Sequence, residues 1–171
     1  MKQLTHYVFS AGICIYALSV FGFLSFASIL VSLWLSLSIN YVIDILGHTL
    51  RGTPARTRLT HSVFTAPLWG GSVSLASIQV LSRAASSFLL PSMSLFWVGA
   101  GILIAMGHLF LDSMTQAGVY LWKDRVAIAH FRYNNLALNA GFIAAGLLFT
   151  LVAVAPPGLI PQITPIHLSL L

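Results

Sequence analysis

From Tyr7 to Leu46 the sequence runs for forty residues with one formally charged side chain, Asp44. A continuous helix of that length would be about 60 Å long at 1.5 Å per residue, twice the roughly 30 Å of bilayer hydrocarbon. The segment must therefore fold back on itself. The interruption with the right chemistry is "SVFGFLSF", where Gly22 lies between serines, and it divides the run into spans of about 7–20 and 24–46. Composition agrees with a membrane solvent. Hydrophobic residues make up 58% of the chain and charged residues 6%, and the mean hydropathy is +0.93. A soluble domain of this size needs far more surface charge.

Further apolar runs predict spans over about 62–81, 88–112 and 135–155, the last stopped by Pro156 and Pro157. The expected fold is thus all-α: a polytopic helical bundle of about five transmembrane helices. It forms one domain over 1–155, followed by an irregular tail over 156–171. Residues 113–133 read as a loop by polarity. Met1 and Lys2 precede an apolar segment, but that segment outruns a signal-peptide core and no small-x-small site closes it, so the N-terminus is expected to be retained. Cys14, the single cysteine, lies inside an apolar run and reads as a packing residue.

Five spans put the N-terminus and the 47–61 and 113–133 loops on one side, with Lys2, Arg51, Arg56, Arg58, Lys123, Arg125 and Arg132. The other side has Arg83 alone. This bias predicts a multi-pass protein of the cell membrane with a cytoplasmic N-terminus and an outward C-terminus. The net charge of +5 is accounted for by orientation in the bilayer, and specific nucleic-acid binding is not expected.

Six polar residues then fall at the cytoplasmic boundary. His6 opens span one, Asp44 and His48 close span two, His61 opens span three, and His108 and Asp112 close span four. Asp44 with His48, and His108 with Asp112, are four apart, so each pair shares a helix face and can aim at one ion. Imidazole with carboxylate is a common ligand set for zinc and similar divalent metals. A single such pair could be a hydrogen-bonded couple that only stabilises packing, but two pairs converging with two more histidines favour a site. His130 reads as solvated or near substrate, His167 as remote, and Asp124 as a surface charge. Asn40, one turn before Asp44, is placed to support a ligand. Asn134, Asn135 and Asn139 suit capping or packing of the last helix, and Ala137, Gly141 and Ala145 form a small-residue packing stripe.

The runs "DILGHTLRGTPARTRLTHSV" and "GHLFLDSMTQAGVYLW" resemble motifs of the predicted membrane-bound metal-dependent hydrolases. That group includes the bacterial LexA-binding inner-membrane protein, and the likeness is greatest to an archaeal-type branch. It extends from His6 to about Asn139. Where the bacterial branch has Asp-x-Asp-His, this chain has Asp44, Gly47 and His48, with one acid fewer. A more distant similarity to the zinc-dependent phospholipase C and nuclease group implies phosphoester hydrolysis.

The resulting expectation is a membrane-embedded hydrolase of lipid or nucleotide-type phosphoesters that uses a metal-activated water at the cytoplasmic face. One or two ions, zinc first among the candidates, would be held by His6, Asp44, His48, His61, His108 and Asp112. Asp44 or Asp112 would act as general base, and Arg51, Arg56 and Arg58 would hold the phosphate. Membrane lipids are the expected surroundings, and a phospholipid the best-suited substrate for a site at head-group depth. The competing reading is a non-catalytic metal-binding scaffold or regulator that docks a cytoplasmic partner. A metal carrier is disfavoured, since its ligands should lie at mid-membrane.

Overall fold

The computed structural model describes residues 1–49, 56–84 and 94–156, without the side chains of His48, Thr49 and Ala84. The expected start of span four near residue 88, the tail beyond Pro156, Arg51 and the His48 side chain lie outside the described residues. The chain forms α1 (Gln3–Val20), α2 (Phe26–Thr49), α3 (Ala66–Ala84), α4 (Ser94–Ser113), a two-stranded hairpin of β1 (Val119–Tyr120) and β2 (Arg125–Val126), and α5 (Leu136–Val154). It is an all-α bundle. Helix α1 packs on α5, α2 and α4, and α3 packs on α4 and α2.

The fold-back falls where the sequence breaks. Gly22 takes φ +73°, open to glycine without a Cβ penalty. Ser25 and Ser28 then start α2 reciprocally: the Ser28 amide donates to Ser25 Oγ at 3.1 Å and the Ser25 amide to Ser28 Oγ at 2.8 Å. Both amides are ones that a helix start leaves unpaired. At the other end of the chain, Asn135 caps α5 by accepting from the Leu138 amide at 2.9 Å. Asn139 accepts from Thr5 Oγ1 at 2.6 Å and from the Lys2 amide at 3.1 Å, which ties the start of α5 to the start of α1.

Among the described residues four helices, α1, α2, α4 and α5, are long and apolar enough to cross a membrane. Helix α3 is diluted by Gly70, Gly71, Ser72, Ser74, Ser77, Gln79 and Arg83, so the five expected spans are matched by five helices of which four reach spanning apolarity. The composition of α3 has a packing reason. A Cβ added at Gly70 would meet the Gly101 carbonyl oxygen at 2.3 Å, and one added at Gly101 would meet the Gly70 carbonyl oxygen at 2.3 Å. The two backbones touch, as small residues permit in apolar surroundings. Gly101→Leu is expected to collapse the thermal transition in detergent, because neither backbone can move aside. Helices α1 and α5 cross in the same manner through Gly12 and Gly146. The expected stripe of Ala137, Gly141 and Ala145 is not that crossing: Ala137 and Gly141 are exposed, and space around Gly141 is open.

Helix α2 carries two stripes spaced by four. Leu35, Ile39 and Ile43 are fully buried in the apolar core with Leu18, Ile104 and Leu109. Ser28, Ser32, Ser36 and Asn40 are buried beside them, and one further step along that polar stripe is Asp44. The polar stripe thus ends at the place where the start of α1, the end of α2, the turn before α3 and the end of α4 meet.

Candidate metal centre

Asp112 is at the middle of this junction, with 1% of its side chain exposed. Its Oδ2 lies 3.3 Å from His108 Nε2 and 3.4 Å from His61 Nε2. Asp44 approaches the same two nitrogens from α2, its Oδ1 at 3.5 Å from His108 Nε2 and 3.8 Å from His61 Nε2. A tetrahedral ion with bonds of about 2.0–2.1 Å places its ligands about 3.3 Å apart. The separations of 3.3, 3.4, 3.5 and 3.8 Å are close to that spacing, and donor atoms of Asp44, His61 and His108 lie near enough to one another to share an ion, with Asp112 adjoining them.

The supporting hydrogen bonds fix which ring nitrogen faces inward. Asn40 Nδ2 donates to the Ser36 carbonyl at 2.7 Å, which turns Asn40 Oδ1 toward His108 Nδ1 at 2.8 Å. His108 then donates from Nδ1, and its Nε2 is left facing two carboxylates. That nitrogen is buried and makes no hydrogen bond among the described residues. A lone pair facing carboxylate oxygens is repulsive unless a cation or proton lies between, so the donor set fits a metal and orients its ligand through the opposite ring nitrogen. Asn40→Ala is expected to weaken metal binding about 10–100-fold, read by competition with a chelating dye.

His61 is held from outside the helices. The sequence predicts that it opens a helix starting near residue 62, but α3 begins at Ala66, so His61 lies in the turn before the helix. Its backbone carbonyl accepts from the Tyr120 amide at 2.8 Å, and the Val63 amide donates to the Tyr120 carbonyl at 3.0 Å. The hairpin therefore clamps this turn. Thr60 Oγ1 lies 2.9 Å from His61 Nδ1, which leaves Nε2 for the carboxylates. Burial works to lower the basicity of His61, but the Asp112 and Asp44 carboxylates beside it outweigh that and raise its pKa above the ordinary imidazole value.

The other oxygen of Asp112 is differently occupied. Oδ1 receives the Met1 amine at 3.0 Å and Arg56 Nη2, with His6 Nε2 at 3.2 Å. His6 stacks on His108 with ring centroids 4.1 Å apart, and His6, His108 and Asp112 form a second, overlapping group of close donors. Arg56 also donates to the carbonyls of Asp112 and Gly118 and to Thr115 Oγ1. Its guanidinium is thus committed to the end of α4. Arg58 is exposed, its guanidinium 5.5 Å over the Tyr120 ring. His130 is exposed in the loop after the hairpin at φ +54°, and Asp124 is exposed between the two strands.

The structure thus brings His6, Asp44, His61, His108 and Asp112 together. It places Arg58 apart and turns Arg56 toward Asp112 itself. The Met1 amine and the hairpin clamp were not anticipated from sequence. A family model described as a protein of unknown function, DUF1286, matches residues 1–111. No curated protein and no solved structure matches the chain.

Proposed function

The chain belongs to the DUF1286 family, and from the site it builds we propose that it is a membrane-embedded, metal-dependent hydrolase acting on phosphoesters at the cytoplasmic face. The observation that carries this reading is the cluster of His61, His108, Asp44 and Asp112, in which the buried His108 Nε2 faces two carboxylates and makes no hydrogen bond among the described residues. His108 gives Nδ1 to Asn40 and has one lone pair left, so one ion is the count favoured by the described residues. When bound there, a divalent ion such as zinc supplies Lewis acidity and a water acidic enough to attack a phosphoester near neutral pH.

The two aspartates then divide the work. Asp112 is enclosed by Met1, His6 and Arg56 on one oxygen and by two imidazoles on the other, which suits a ligand and not a base. Asp44 is farther from the imidazoles, and its side chain is 16% exposed against 1% for Asp112, so it borders the side from which substrate and water arrive. It is assigned the general base, which leaves His61, His108 and Asp112 to hold the ion with a fourth position open to water. The basic N-terminus and loops support the cytoplasmic placement by the charge bias of membrane proteins. Arg51 retains the phosphate-holding role proposed from sequence.

The test is hydrolysis of soluble phosphodiesters and phospholipids by zinc-loaded and chelator-stripped protein. Asp44→Asn is expected to lower turnover about 10²–10⁴-fold, the range of a general base, while keeping more metal than Asp112→Asn. Full metal occupancy with no hydrolysis of any phosphoester would favour the scaffold reading, which has in its support that four protein ligands can close a structural site.

A further inference from the structure

A cleft of about 400 Å³ runs between α1, α2 and α5, lined by Tyr7, Ala11, Ile29, Leu33, Leu37 and Leu147 among others. Its polar edges are already satisfied. Ser36 Oγ donates to the Tyr7 carbonyl at 2.8 Å and Thr150 Oγ1 to the Gly146 carbonyl at 3.1 Å, so the wall offers hydrocarbon and little else. All three helices reach spanning length and apolarity, and Leu37 and Leu147 at the rim are 49% and 58% exposed. The cleft therefore opens sideways toward lipid rather than toward water.

Its geometry relates it to the metal centre. Leu33, Leu37 and Asp44 recur on α2 at spacings of four and seven, which keeps them on one face. The α2 wall from Ile29 to Leu37 covers about 12 Å of helix, and Asp44 lies about 10 Å further on at 1.5 Å per residue. On α1 the cleft ends at Tyr7, the neighbour of His6, and Tyr7 is within electrostatic reach of Asp44 and Tyr41. A hydrogen-bonded chain joins the two places: Tyr7 carbonyl, Ser36, Asn40 and His108.

We propose that this cleft holds an acyl chain of the substrate, so that the phosphoester at the head of a membrane lipid is presented to the Asp44 side of the metal centre. This rests on the hydrolase reading for the word substrate, but the lipid seat itself is tested by binding. The full chain, zinc-loaded in detergent, is mixed with dipalmitoyl or dihexanoyl phosphatidylglycerol, and lipid retention is followed by native mass spectrometry. The wild type is expected to retain the long-chain lipid preferentially. Leu37→Trp with Leu147→Trp, two rim substitutions, should reduce that preference at least about tenfold, which corresponds to roughly two buried methylenes.

Metal content of the double variant reports that the fold persists. A single Ala11→Phe substitution in the floor provides a second block and should reduce the preference in the same way. An unchanged chain-length preference in both variants would overturn the proposal, as would equal retention of the two lipids by the wild type. A change in oligomer size with no change in lipid retention would also overturn it, since a second copy would then be the occupant. Chain-length preference lost in the variants, in a protein that hydrolyses no phosphoester, would sink the hydrolase reading and leave the lipid seat standing.

Discussion

Asp112→Asn is expected to strip the metal from the protein and to lower its stability together. The carboxylate is the common partner of His61 and His108 through one oxygen and of the Met1 amine, Arg56 and His6 through the other. An amide of the same shape keeps the volume but presents a neutral dipole to a buried guanidinium, and its NH₂ group faces donors. Removing one partner of a buried ion pair while leaving the other costs about 3–5 kcal/mol, the larger because Arg56 is itself only 10% exposed. The measurement pairs thermal melting with metal content per chain. Loss of metal with an unchanged melting temperature would show that Arg56 and the amine find other partners, and that Asp112 is not the keystone described.

Gly47→Ala should do the reverse, removing metal from a protein that stays folded. Gly47 lies in the last turns of α2, three residues after Asp44. A Cβ there would fall 2.5 Å from His61 Cε1, 2.8 Å from His61 Nδ1 and 2.7 Å from Thr60 Oγ1. Alanine is the better helix former by about 1 kcal/mol, so on propensity alone the substitution would be mildly stabilising. The atoms it strikes are instead those that aim His61 at the carboxylates. The ring must swing away, and a ligand displaced by even half an ångström or so leaves productive geometry. Metal affinity is expected to fall at least about tenfold at an unchanged or raised melting temperature. Retained affinity would mean that His61 does not hold the ion.

These two residues also mark where sequence reasoning reached and where it stopped. The helices were legible because length and hydropathy act locally: a forty-residue apolar run cannot be one span, and Gly22 is where it turns. The convergence of His6, Asp44, His61, His108 and Asp112 followed from span parity, because alternate helix ends must return to the same side. The role of Asn40 followed from its one-turn spacing to Asp44, although its partner proved to be His108 on another helix.

What could not be read was set by tertiary contact. Residues 113–133 look merely polar, yet a short hairpin within them hydrogen-bonds to the backbone on both sides of Ser62 and fixes His61. Arg56 reads as a substrate or topology residue until the structure shows its guanidinium among oxygens at the end of α4. Arg58, two residues on, lies over Tyr120 instead. Spacing cannot separate them, because both are in a turn with no helical face to assign. The small-residue stripe on α5 failed for a related reason. Gly146, not Gly141, meets α1, and periodicity alone does not choose between neighbouring faces of a helix that is apolar all round.

The most direct measurement is the divalent metal retained per chain when the protein is purified in detergent, supplied with zinc and dialysed. Wild type, His108→Ala and His61→Ala should be compared. About one ion per chain in the wild type, lost in both variants, is the result expected of a tetrahedral centre built from these residues. Wild-type protein that holds no zinc, or variants that hold as much as the wild type, would contradict it.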